Sequence, residues 1–393
     1  MNAPLALEEA QARLLALAPV LPAESIATEA ALGRVLAQDL HANRTQPPAD
    51  LSAMDGYALG PSDGPWALVG ESRAGAPFAG VIAPQECVRI STGANVPEGG
   101  TRVLLQEDAS VTDGMVTASE VPPTGRHIRL RGFDFHGGDL LLPRGTRLNA
   151  GRIALALSGG HGSVSVTRPV RVAVLDSGDE LSADPANCLP HQIPASNGAM
   201  IAAMLAPLGC EVLRLGPVGD DMAALEAALA RAEGADILVT SGGASVGDHD
   251  LIKPALANWG AETAFWRVAI KPGKPLLVAT RGTQVILGLP GNPVSSFVTA
   301  FLFALPLVRA LQGDGAPLPA ALIMQAGEPL PAIGPRREFL RAVIEGGAVR
   351  LAGSQDSSAL SALAAADCLI DRAAHAPAAE AGEALRVFPL RIG

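Results

Sequence analysis

Apolar positions in residues 170–311 fall into short buried-looking runs that alternate with amphipathic stretches. VRVAVLDSGDEL (170–181), CEVLRLGPV (210–218) and ADILVTSGG (235–243) read as strands. LLVAT (276–280) and QVILGLPG (284–291) add two more. Residues 196–209, 220–234, 250–260 and 293–311 have helical spacing. Such alternation predicts a mostly parallel sheet covered by helices on both faces, an α/β/α domain over 169–312. Residues 46–142 differ: WALVG, CVRI and TRVLLQED are short runs cut by Gly and Pro, as in an inserted β domain. LALEEAQARLLAL (5–17) and NAGRIALALSGG (149–160) are helical and expected to pack on each other. They would form a helical, discontinuous N-terminal domain from 1–45 and 143–168. A Pro/Gly/Ala-rich link (312–319) leads to a C-terminal β domain, 320–393, with a loop expected in its Ala-rich run at 373–382.

Composition narrows the chemistry. The chain has 393 residues and a net charge of −10, which argues against nucleic acid and anionic membranes as partners. Its four cysteines lie far apart with no ligand-like spacing, as in a reduced protein. The N-terminal stretch has no basic and apolar regions of a signal peptide, so a cytoplasmic location is expected. The uncharged stretch 282–308 is broken by Pro290, Gly291, Asn292 and Pro293 and reads as strand, loop and core helix, not as a membrane span. Of 29 basic residues only three are lysines: Lys253, Lys271 and Lys274. A compact ammonium retained in an arginine-rich chain draws attention to IKPGKP (270–275), where two of them flank a Pro-Gly turn.

Candidate site residues gather where strands give way to helices. In SGGASVGDHD (241–250), Ser241, Gly242, Gly243, Ser245 and Gly247 offer hydroxyls and close backbone approach, while Asp248 and Asp250 stand at a helix start. The motif is neither a dinucleotide nor a P-loop fingerprint. GLPGNPVS (288–295) repeats the arrangement: Pro290, Gly291 and Asn292 form the loop, and Ser295 lies in the first helical turn. Asp176, Asp179, Glu180, Asp220 and Asp221 follow other strands, where they either cap helices or hold Mg²⁺ beside a phosphorylated ligand. In the β region, Asp55 sits beside the sole tyrosine, Tyr57, and Ser91 and Thr92 precede another turn.

Taken together, AMDGYA, GESRAGAPF, RISTGANVPEG, SGDEL, SGGASVGDHD, IKPGKP, GLPGNPVS and RREFLRA, in this order, resemble the molybdopterin molybdenumtransferase family, that of MoeA and the gephyrin E domain. The resemblance implies a four-part multidomain fold and the insertion of molybdenum from molybdate into adenylylated molybdopterin, with release of AMP and formation of molybdenum cofactor. It implies a homodimer whose active site is shared between subunits, so that Asp55 and Thr92 join Glu180, Asp220, Asp250 and Lys271 in catalysis. Glu180, Asp220 and Asp250 would hold Mg²⁺. Ser241, Gly242, Gly243, Ser245, Asp248, Asp250, Lys253, Pro290, Gly291 and Asn292 would bind the pterin substrate, and Lys271, Lys274, Ser295 and Arg341 the molybdate. Other cofactor-biosynthesis proteins and acceptor molybdoenzymes are implied partners. Asp176, Ala195 and Phe133 depart from the family's usual residues. A non-catalytic, gephyrin-like scaffold is the alternative reading.

Overall fold

The computed structural model describes residues 4–242 and 251–390. Its central sheet places strands in the order Glu211–Val218, Arg171–Ser177, Ile237–Ser241, Gln284–Leu289, Leu277–Arg281, Glu262–Trp266. The first four run parallel; the last two pairings are antiparallel. Parallel neighbours are joined through helical crossovers, whereas Leu277–Arg281 and Gln284–Leu289 follow one another with two residues between them and must turn back. Both faces are buried. Val172, Val174, Ile237, Val239, Val285 and Leu287 face one core with helices Asn197–Leu205 and 293–311. Ala173, Leu175, Leu238 and Ile286 face a second core with helices Met222–Arg231 and Ile252–Asn258.

The helix 293–311 is long and apolar enough to cross a membrane by length and composition alone, but 83% of that stretch is buried inside the protein. It runs as α-helix Pro293–Thr299, a π-helical segment Ala300–Ala304 and α-helix Leu305–Leu311, with Pro306 near the start of the last part. Strand, loop and core helix occur here as the Pro-Gly punctuation indicates.

The N-terminal helix Leu7–Leu15 does not pack as expected. Its buried Leu7, Ala10 and Leu14 belong to the core of the central sheet, against 293–311. Helix Ala150–Ser158 instead closes a small core of Leu36, Leu40, Leu142, Leu148, Val164 and Val166. That core is held by strand Ala23–Ala27 pairing with Ser163–Thr167 and by Leu40–His41 pairing with Leu140–Leu142. An amphipathic helix displays an apolar stripe; the stripe does not say what covers it.

Between these pairings lies a six-stranded sheet in the order Arg102–Leu105, Gly56–Leu59, Glu86–Ile90, Trp66–Ser72, Met115–Ala118, Ala109–Thr112. Near the C-terminus, strands Arg337–Glu345, Ala348–Leu351, Leu322–Ala326, Ala384–Pro389 and Cys368–Arg372 close on themselves, since the first also pairs with the last. The short strand Ile270–Lys271 adds to this barrel at Arg337 and Glu338, tying the KPGK turn to it. Residues 373–382 lie outside the strands of the barrel, in turns and loops.

Candidate functional site

A cavity of about 870 Å³ opens at the C-terminal ends of the parallel strands, where switch points of such sheets bind ligands. Ser241 and Gly242 form one wall, Pro290, Gly291 and Asn292 another, and Glu180 and Asp220 line the same space. Asp179 and Asp221 serve local structure instead: Asp179 accepts the Asp220 N–H at 2.9 Å, and Asp221 caps helix Met222–Arg231 through the Ala224 N–H. Gly243, Ser245, Gly247, Asp248 and Asp250 lie outside the described residues. Lys253 is in the first turn of helix Ile252–Asn258 and does not line the cavity.

Asn197 joins two of these loops. Its Nδ2 donates to the Gly291 carbonyl at 2.7 Å and to Ser241 Oγ at 2.9 Å. A carbonyl can only accept, so the amide orientation is settled by its partner. Ser241 Oγ, used as an acceptor, keeps its own proton to donate to an anionic oxygen in the cavity. Nothing in the residue type marked Asn197 in advance, because an Asn at a helix start reads as an ordinary cap.

Asp176 lies beneath this arrangement, 2% exposed. Its Oδ2 accepts the Gly198 N–H at 3.2 Å, and Arg214 lies 3.8 Å away. Burial raises its carboxyl to about 6, a shift that Arg214 and the Gly198 N–H only partly offset. Gly198 is required by that contact, since a Cβ there would lie 2.2 Å from the carboxylate oxygen. The other two departures lie differently. Ala195 lines the same cavity as Asp176 but is not held by it in this way, while Phe133 lines neither cavity and is 76% exposed.

A second cavity, about 350 Å³, adjoins the first at Pro275. Lys271, Lys274 and Ser295 line it together, as the motifs indicate, and Arg336 adds a third cation. Lys271 Nζ contacts both carboxylate oxygens of Glu338, at 3.1 and 3.2 Å. Gly273, with φ +104°, carries the turn between the lysines, and a Cβ there would meet Thr299 at 2.6 Å. Asn292 does not cap its helix through its side chain; its Nδ2 donates to Ser357 Oγ at 3.0 Å, linking the walls of the two cavities. Arg341 does not line the second cavity. It is fully buried, donating to the Ser354 and Asp356 carbonyls behind the loop that forms the cavity wall. Burial lowers its pKa, and its Nε has no partner among the described residues. Neighbouring arginines in RREFLRA look alike in sequence, and only the strand register separates their placements.

Asp55 and Thr92 are brought together, the Thr92 N–H donating to Asp55 Oδ1 at 2.8 Å. They line neither cavity. All four cysteines are free thiols.

Comparison with known proteins gives these features a family. The MoeA N-terminal region (domain I and II) matches residues 5–160, a probable molybdopterin binding domain matches 173–310, and the MoeA C-terminal region (domain IV) matches 324–390. A molybdopterin molybdenumtransferase of Haemophilus influenzae is 38% identical over 317 residues, 79% of this chain and 78% of that protein. The chain belongs to the molybdopterin molybdenumtransferase family. A relative of that name from Staphylococcus aureus is 31% identical over 93% of this chain and 91% of its own length. Two structures of the molybdopterin biosynthesis MoeA protein of Pyrococcus horikoshii superpose with TM-scores of 0.80 and 0.86, at 28% and 22% identity. Each covers 98% of this chain, which spans 99% and 100% of theirs. The fold is thus the family's multidomain arrangement of α/β and β parts.

Proposed function

We propose that the chain inserts molybdenum into adenylylated molybdopterin, taking molybdate as the metal source and releasing AMP. The observation that carries this reading is the adjacency of two unlike cavities. The larger offers backbone loops, Ser241 and the carboxylates of Glu180 and Asp220 to a phosphorylated heterocycle; the smaller gathers Lys271, Lys274 and Arg336 around a space fit for a tetrahedral oxyanion. Cations and a helix start at 293 favour the approach of one anion toward another, which is the electrostatic difficulty of the reaction.

Glu180 and Asp220 face the larger cavity and are hard-oxygen donors of the kind Mg²⁺ takes. They would hold the ion, with Asp250 as the third expected ligand, and the ion would neutralise phosphate charge when bound. Asp55 and Thr92 are assigned to the cavity of a second copy in a homodimer, since they line neither of the two cavities described in their own chain. The relatives reported above are named as transferases, which favours an enzyme over a scaffold. A cytoplasmic site of action accords with the substrates of this reading, and cofactor-biosynthesis proteins and acceptor molybdoenzymes are its proposed partners.

The test is to mix purified protein with adenylylated molybdopterin, Mg²⁺ and molybdate and to follow AMP. Molybdate-dependent AMP release is expected; release indifferent to molybdate would overturn the proposal.

A further inference from the structure

The smaller cavity already contains an anion of its own. Glu338 extends from strand Arg337–Glu345 of the C-terminal barrel and places both carboxylate oxygens within 3.2 Å of Lys271 Nζ. The carboxylate is largely shielded, its side chain 14% exposed, while the lysine is half exposed at 51%. The other charges of the cavity are arranged differently. Among the described residues, Lys274 has no ion pair and Arg336 reaches only the Ile270 carbonyl, at 3.5 Å. Asp356 is occupied by Ser358, whose N–H and Oγ both donate to its Oδ1, at 2.9 and 2.6 Å. Glu338 is therefore the carboxylate that engages a cation of the cavity, and it engages Lys271 as an oxyanion would.

We infer that Glu338 is an internal competitor that sets the affinity of this cavity for tetrahedral oxyanions. An incoming dianion must take Lys271 from the carboxylate or share it at the cost of like-charge repulsion, and either lowers affinity. Weak retention suits a site that must pass its anion on, because tight ground-state binding adds nothing to a transfer step. The inference rests on the oxyanion reading of the cavity but assigns a role to a residue outside it.

The experiment measures molybdate binding to the full-length protein by calorimetry for wild type, Glu338→Gln, Glu338→Ala and Lys271→Ala. Glutamine keeps the length and an acceptor for Lys271 while removing the charge. Glu338→Gln is expected to bind molybdate about fivefold to tenfold more tightly, with Glu338→Ala changing in the same direction. Unchanged or weaker binding by Glu338→Gln would overturn the inference, showing that the carboxylate merely holds Lys271 in place. Lys271→Ala separates the two readings: if it binds molybdate as well as wild type, the oxyanion cavity itself is misassigned.

Discussion

Gln11, on the N-terminal helix, donates from Nε2 to the backbone carbonyl of Leu302 at 2.9 Å, in a fully buried contact. Leu302 is four residues before Pro306, which has no N–H to offer that carbonyl. The π-helical segment and the borrowed amide together let a proline sit inside a buried helix. Replacing Gln11 with Leu is expected to destabilise the protein by about 1–3 kcal/mol, by leaving a buried acceptor with one partner fewer. Thermal unfolding measures this; an unchanged midpoint would show that the carbonyl is satisfied without Gln11.

Asp176 gives a pH signature. Its folded-state value of about 6 lies above the ordinary 3.8, so burial disfavours the ionised form. Stability from this group is fully present below about pH 4 and is lost as pH rises through about 6. Asp176→Asn is expected to stabilise the protein at pH 7 by on the order of 1–3 kcal/mol, with the difference vanishing near pH 4. Denaturant unfolding at the two pH values measures it, and a gain that persists at pH 4 would refute the assignment to ionisation.

Gly198 should reverse the usual helix rule. Within a helix, Gly to Ala ordinarily stabilises by about 1 kcal/mol. Here the added methyl would lie 2.2 Å from Asp176 Oδ2. Gly198→Ala is expected to cost at least about 2 kcal/mol, from a displaced helix start and a lost carboxylate contact. A stabilised variant in a thermal melt would contradict the packing described.

Lys274 tests the cavity from its unpaired side. Lys274→Ala removes a cation engaged in no ion pair among the described residues, and molybdate affinity is expected to fall about tenfold or more. Binding at wild-type strength would remove Lys274 from the site.

The proposed homodimer with a shared active site predicts complementation. Asp55→Ala and Lys271→Ala are each expected to be inactive as homodimers. Mixed subunits would form heterodimers with one intact site, restoring about a quarter of wild-type activity when assembly is random. No recovery in a preparation shown to contain heterodimers would mean that Asp55 and Lys271 act in the same chain or that Asp55 is not needed.

The parts of the fold with their own periodicity were legible before any coordinates. Arg171–Ser177 and Ile237–Ser241 are apolar runs buried on both faces, and the helices between them show 3.6-residue spacing. Direction was not legible: the buried apolar run at the start of Leu277–Arg281 resembles those of the parallel strands, and its reversal follows from the short connection to Gln284. At the site, Gly and Pro made GLPGNP and KPGK conspicuous because they enforce turns. Asn197 and Glu338 carry no such mark. Their roles arise from residues 44 and 67 positions away, and no local pattern encodes a partner at that distance.

The pairing of Ile270–Lys271 with the C-terminal barrel makes the smaller cavity joint property. One side, with Lys271, Lys274 and Ser295, comes from the α/β part, and the other, with Arg336, Glu338, Gln355 and Ser357, comes from the barrel. A lone α/β unit ending at Leu311 would retain most of the larger cavity and have only half of the proposed oxyanion pocket. Acquisition of the barrel is therefore what would turn a sheet able to grip a phosphorylated heterocycle into one able to meet it with a second anion.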